Sequence, residues 1–122
     1  MRNKVDIRIK RVYDQPSADD GPRVLIDRLW PRGMSRESAR IDLWWKEGAV
    51  SESLRRWFNH EPAKWEEFRG RYREELLAHP QEIESLLAAA RAGRLTILFG
   101  AKDTEHNNAV VLKDFLEERL AP

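Results

Sequence analysis

Cysteine is missing altogether from the 122 residues. Its absence removes disulfides, thiolate metal centres and a cysteine nucleophile in one step. It also fits a reducing compartment, and a cytoplasmic location is the expectation. No apolar run approaches the roughly 18 residues of a membrane span. The opening "MRNKVDIRIK" lacks the apolar stretch of a secretory leader, so none is expected. An excess of one charge is lacking too: 22 Lys and Arg stand against 21 Asp and Glu, a net of +1. A general polyanion binder carries a clear basic excess, so nucleic acid is not the favoured partner. The phosphate loops GxGxxG and GxxxxGKS/T do not occur, and no serine sits in a GxSxG elbow. The three histidines, at 60, 79 and 106, follow no HExxH or comparable spacing. No metal site and no cofactor are therefore expected.

What is present is a globular composition, 41% hydrophobic and 35% charged. The length suits one domain over residues 1–122 with a core that needs no staples. Sixteen of the 22 basic residues are arginine, the side chain best shaped for bidentate contact with carboxylate or phosphate. Biased base composition would produce the same preference.

"VDIRIKRV" alternates Val5, Ile7 and Ile9 against Asp6, Arg8 and Lys10, the period of a half-buried strand. A turn-rich loop, "YDQPSADDGP", leads to "RVLIDRLW", where Val24, Leu25 and Ile26 suit a strand buried on both faces. "IDLWW" predicts a third short strand, with Ile41, Leu43 and Trp45 on one face and Asp42 and Trp44 on the other. Ser51 caps a helix whose stripe is Leu54, Trp57 and Phe58. Pro62 starts a second helix at its first position, carrying Trp65, Phe68, Tyr72 and Leu76. A third follows Pro80 through Ile83, Leu86, Leu87 and Ala90. "LTILF" is a second fully buried strand, and a last helix turns Ala109, Leu112, Leu116 and Leu120 inward. The expected fold is α/β: a small mixed or parallel sheet of about four strands, covered by about four helices. The ten-residue loop before the second strand is short for a parallel crossover, which favours some antiparallel pairing.

Two buried strands end in polar clusters. The first holds Asp27, Arg28, Trp30 and Arg32; the second holds Lys102, Asp103, His106 and Asn107. Open α/β sheets bind ligands beyond the carboxyl ends of their strands. If the two strands are parallel neighbours, the clusters share one cleft; if antiparallel, they separate. Asp103 or Thr104 is the expected N-cap of the final helix, and its dipole beside Lys102 favours an anion. Asp27, Asp103 and His106 are the candidates for proton transfer, His106 because imidazole titrates near neutral pH. Arg28, Trp30, Arg32, Lys102 and Asn107 are the candidates for holding the ligand. Each also has a plain structural role. Asp27 can pair with Arg28 or Arg32, Asp103 can simply cap, and Trp30 and Trp44 can form a lid. His60 reads as a turn histidine bonded to backbone, and His79 as a loop residue.

"DRLWPRG", "LRRWFNHEPAKWEEFRGRYREEL" and "TILFGAKDTEHNNAVVLKDFL" together resemble the YeaO-like proteins of the domain-of-unknown-function family 488. The resemblance runs from "RVYD" to the last helix. It implies that Asp27, Arg28, Trp30, Pro31, Arg32 and Gly33 belong to a first family signature. Trp57, Phe58, His60, Trp65, Phe68 and Tyr72 would form a helical one, and Ala101, Lys102, Asp103, His106 and Asn107 a last. It further implies a compact α/β domain of a bacterial or archaeal cytoplasm. One departure is "KEGAVS" at residues 46–51 where the family pattern has something like "KELAPS"; Gly48 and Val50 there predict a looser loop.

The functional expectation is a small-molecule site for an anionic, nucleotide- or sugar-phosphate-like ligand. Arg28, Arg32 and Lys102 would hold the anion, and Asp27 or Asp103 with His106 would move protons. The alternative is a nucleic-acid or protein interaction module using Arg36, Arg40, Arg55, Arg56, Arg69, Arg71 and Arg73. The sequence leaves the reaction and the oligomeric state open.

Overall fold

The apolar alternation in four short segments produces four strands, and all of them run the same way. The structure, a computed structural model, describes residues 5–121. Residues 1–4, on which part of the leader expectation rests, lie outside it. The elements in order are β1 (Asp6–Arg11), β2 (Arg23–Leu25), α1 (Arg36–Ala39), β3 (Leu43–Trp44), α2 (Glu52–Phe58), α3 (Trp65–Leu76), α4 (Pro80–Arg91), β4 (Arg94–Phe99) and α5 (Asn108–Leu120). Short 3-10 turns occupy Ala18–Asp20, Lys46–Gly48 and Pro62–Lys64.

The sheet order is β1-β4-β2-β3, and every neighbouring pair is parallel. The expectation of antiparallel pairing fails because β1 and β2 are not neighbours. β4 lies between them, and the short loop only has to step across its end. Asp6 pairs with Arg94 and Val24 with Ile97, so the last strand forms the centre of the sheet.

The two faces are covered unequally. Ile7, Val24, Ile26, Leu95, Ile97 and Phe99 point into the main core with α2, α3, α4 and α5. Val12, Leu25 and Leu98 point the other way, under a thin cover of Ile41 and Trp44. The last helix buries Val111 and Phe115 in addition to the expected Ala109, Leu112 and Leu116.

Three local expectations need correction. β3 is only two residues long; Leu43 is exposed, and Trp45 enters the main core from the turn after it. The helix expected from Pro62 begins as a 3-10 turn and becomes α-helical at Trp65. The "KEGAVS" segment is not loose. Gly48 is buried under the Trp45 indole, where a Cβ would lie 2.4 Å from the ring. The Tyr72 hydroxyl donates to the Gly48 carbonyl at 2.6 Å. The absence of a side chain lets the turn sit flat on the core.

At the amino ends of the strands is a buried polar network that the sequence reading did not foresee. The Asp20 carboxylate accepts from Arg23 at 2.5 Å and from Lys10 at 3.2 Å. Arg23 also donates to the carbonyls of Ala39 and Arg40, at 2.9 and 3.0 Å. Burial alone would raise the Asp20 pKa, but hydrogen bonds from Ser17, Lys10 and Arg23 outweigh it and hold the carboxyl low.

Candidate functional site

Since β2 and β4 are parallel neighbours, the two polar clusters meet at one sheet edge. The loop leaving β2 runs toward β3, whereas the chain leaving β4 enters α5, which packs back over β1 and β4. Connections that diverge from adjacent strands open a crevice between them. Here the crevice is a cavity of about 410 Å³, within the usual range for a small-molecule site.

Asp27 is at its floor and joins its two halves. Its carboxylate accepts from the Gly100 N–H at 2.7 Å and from the Asn108 side-chain amide at 3.2 Å. Asn108 also donates to the Ile26 carbonyl at 2.9 Å, and the Trp44 indole donates to the Asp27 carbonyl at 2.7 Å. A Cβ on Gly100 would be 2.8 Å from the carboxylate, so glycine permits the close approach. The expected ion pair with Arg28 or Arg32 is not formed. Arg28 instead faces Glu52 at 3.5 Å, and Arg32 has no acidic partner among the described residues. Burial raises the Asp27 pKa, opposed by the bonds from Asn108 and Gly100.

Opposite Asp27, His106 packs its ring edge-on to Trp65, with centroids 5.2 Å apart. Its Nδ1 lies 3.0 Å from the Asp103 carboxylate. Asp103 also accepts from the backbone N–H groups of Glu105 and His106, which lowers its pKa. The N-cap of α5 is therefore not Asp103 or Thr104. Asn107 caps it, accepting from the Val110 N–H at 3.1 Å, while Asp103 closes the turn before it. The Asp103–His106 pair leaves Nε2 without a hydrogen bond among the described residues.

Of the residues expected at the site, Asp27, Arg28, Trp30, Arg32, His106 and Asn107 line the cavity. Asp103 supports it from behind His106. Lys102 is exposed and contributes nothing to the lining. Trp30 lines the cavity from the rim, but its indole is committed. It donates to the Met34 carbonyl at 2.7 Å and meets the Trp44 ring edge-to-face at 5.2 Å. Arg36 lies over one and Lys46 over the other, so the pair is a lid braced by cations.

Polar lining residues that the sequence did not mark as site residues include Tyr13, Arg55, His60 and Asn108. Tyr13 donates to the Arg32 carbonyl at 3.1 Å, tying the two loops at the mouth. His60 is not bonded to backbone. It adopts φ +55° directly after Asn59 at φ +48°, a consecutive left-handed pair that turns it to the cleft. The "NH" pair within "NHEP" was the available signal, since Asn and His tolerate that conformation better than most residues. Phe58 and Phe68 supply an apolar wall.

A second hollow of about 360 Å³ lies beyond Arg28 and Ala49, which border both. Of its two acids, Glu47 and Glu75, the second is occupied: it accepts from the Ser51 N–H at 2.9 Å and the Ser51 hydroxyl at 2.5 Å, bracing the start of α2.

Of the arginines named for a basic face, four are paired with acids, while Arg36, Arg40 and Arg55 have no ion pair among the described residues. Arg56 pairs with Glu52 at 2.6 Å, Arg69 with Glu66 at 3.4 Å, Arg71 with Glu67, and Arg73 with Glu118.

Residues 6–122 match a family model described as "Inactive DUF488-N3 subclade". An uncharacterized protein, YeaO, of Escherichia coli K12 is 43% identical over 112 residues, covering 92% of this chain and 97% of that one. Uncharacterized proteins of Mycobacterium tuberculosis and Mycobacterium bovis are 43% identical over 76 residues, covering 62% of this chain and 64% of theirs. No solved structure matches the chain significantly.

Proposed function

The chain belongs to the DUF488 family, in the N3 subclade described as inactive, and from that premise we propose that it binds an anionic small molecule in the cleft between β2 and β4. The ligand class is nucleotide- or sugar-phosphate-like. The observation that carries this reading is the distribution of unpaired cations. Arg56, Arg69, Arg71 and Arg73 on α2 and α3 are matched by glutamates, whereas Arg32 and Arg55, from separate elements lining the cleft, have no ion-pair partner among the described residues. Unmatched guanidinium groups around an apolar-walled cavity are what an anion with an organic body requires.

The lining contains no serine or threonine, and the sequence no cysteine. That removes a serine, threonine or cysteine nucleophile from the cleft. The Asp103–His106 pair holds the imidazole in one orientation. It is suited to accept or donate a hydrogen bond to the ligand through Nε2.

A thermal-shift screen across nucleotides, sugar phosphates and inorganic phosphate tests the proposal. A ligand at about 100 times its dissociation constant adds ~2.7 kcal/mol to stability, a readily measured rise in melting temperature. Arg32→Ala and His106→Ala should abolish or reduce the shift. If no phosphate-bearing compound shifts the wild-type melt, the proposal fails.

A further inference from the structure

We infer that the cleft selects a terminal, doubly charged phosphate monoester over singly charged anions, and that Arg55 and His60 are the residues that make the distinction. This deepens the anion-binding reading and rests on it.

The first observation is the orientation of Arg55. Arg55 and Arg56 are sequential on α2, yet only Arg56 is neutralised, by Glu52 one turn earlier. Arg55 lies about 100° round the helix from Arg56. It lines the cavity, with no ion pair among the described residues. Arg32, on the loop leaving β2, is in the same condition. Two permanent positive charges thus reach one cavity from separate elements.

The second observation is the backbone at His60. Asn59 alone ends α2 in the left-handed region, its N–H donating to the Arg55 carbonyl at 3.0 Å. A single such residue suffices to terminate a helix. His60 repeats the conformation at φ +55°, a steric cost that the cap does not require. The Glu61 N–H then closes the turn onto Phe58 at 3.0 Å. The outcome is an exposed imidazole on the cavity wall, with no hydrogen bond among the described residues.

The acids nearby do not pair with Arg32 or Arg55. The Asp27 oxygens accept from Gly100 and Asn108, and Asp103 from His106 and its own turn. Three guanidinium groups, of which Arg28 is shared with Glu52, and two imidazoles around one cavity match a group that concentrates two negative charges. A phosphate monoester does so above its second ionisation near pH 6. A diester or a sulfate ester carries one charge and cannot engage both arginines with full charge. The apolar wall of Phe58 and Phe68 leaves room for an aromatic or sugar body.

Titration calorimetry at about pH 7.5, where a monoester holds most of its second charge, provides the test. The probes are phenyl phosphate, methyl phenyl phosphate and phenyl sulfate. Phenyl phosphate should bind roughly tenfold more tightly than the other two, a difference of ~1.4 kcal/mol. Arg55→Gln keeps helix propensity, and His60→Asn keeps a residue that tolerates the left-handed region. Each should weaken phenyl phosphate to near the level of the diester and leave diester binding almost unchanged. Equal binding of monoester and diester by the wild type overturns the inference, as does an equal loss for both probes in the variants. Failure of every phosphate compound to bind would instead overturn the anion-binding reading itself. The wild-type comparison stands without the variants, so a misfolded variant does not leave the question open.

Discussion

Asp27 is the residue on which the two halves of the cleft are joined, and its environment gives it an unusual response to pH. Its carboxyl pKa is raised by burial, against the bonds from Asn108 and Gly100. The native chain therefore binds this proton more tightly than the unfolded chain does. The resulting contribution to stability is fully present below the unfolded value near 3.8. It is lost as pH rises through the raised native value. Asp27→Asn cannot titrate. Relative to wild type, that variant should gain stability as pH rises above the unfolded value and level off once Asp27 is ionised in the native state, as urea midpoints at several pH values would show. A pH-independent difference would mean that Asp27 is ordinary in the native state. The sequence marked Asp27 as a candidate site residue and offered an arginine as its alternative partner. An arginine in the next position was the obvious one, whereas the real partners are a backbone N–H and an asparagine more than seventy residues away. No local pattern encodes such a contact.

At the level of elements, periodicity located all four strands and the four longer helices, and α1 was the element that it did not signal. Stripes such as Trp65, Phe68, Tyr72 and Leu76 are strong because each helix buries one face. Where an element is two residues long, as β3 is, there is no period to read, and the assignment of Leu43 and Trp45 to a common face failed. The start of α5 shows a different limit. "DTEHNN" offers several capping residues, and the fold uses Asn107 for the helix and Asp103 for the turn before it. The two roles are separable by mutation. Asn107→Ala should cost about 1 kcal/mol in urea unfolding, as loss of a helix cap does. Asp103→Ala should cost clearly less and act instead on ligand binding through His106. Comparable losses of stability would show that the division of roles is wrong.

At the scale of the whole molecule, the near-neutral net charge reflects acids interleaved with arginines. Arginines on α2 and α3 are mostly matched by acids one turn away or across to α5. Arg32 and Arg55 line the cleft without an ion pair, and Arg36, Arg40, Arg91 and Arg119 lie away from it, also without one among the described residues. Mixed single- and double-stranded oligonucleotides should show no binding by fluorescence anisotropy at about 50 mM salt, since a net charge of +1 gives a polyanion little to hold. A complex there whose affinity falls steeply with added salt would restore the nucleic-acid alternative. The membership of DUF488 was legible from three long motifs, and so was the pairing of a polar cluster with each buried strand. Strand order was not. It depends on which strand the loop after Val12 steps across, and composition carries no record of that.

The position of β4 has one more consequence, for the order in which the chain can be assembled. The central strand is made last of the four, and its partner Asp6 is separated from Arg94 by most of the chain. During synthesis β1 and β2 must wait, without the neighbour they share, until residues 94–99 are available. Contacts this distant in sequence are slow to form, because the loop they close is costly before any pairing repays it. The cleft has one wall on β2 and the other on β4. It cannot form in a chain that ends before β4, and its two walls come together only with the completed sheet.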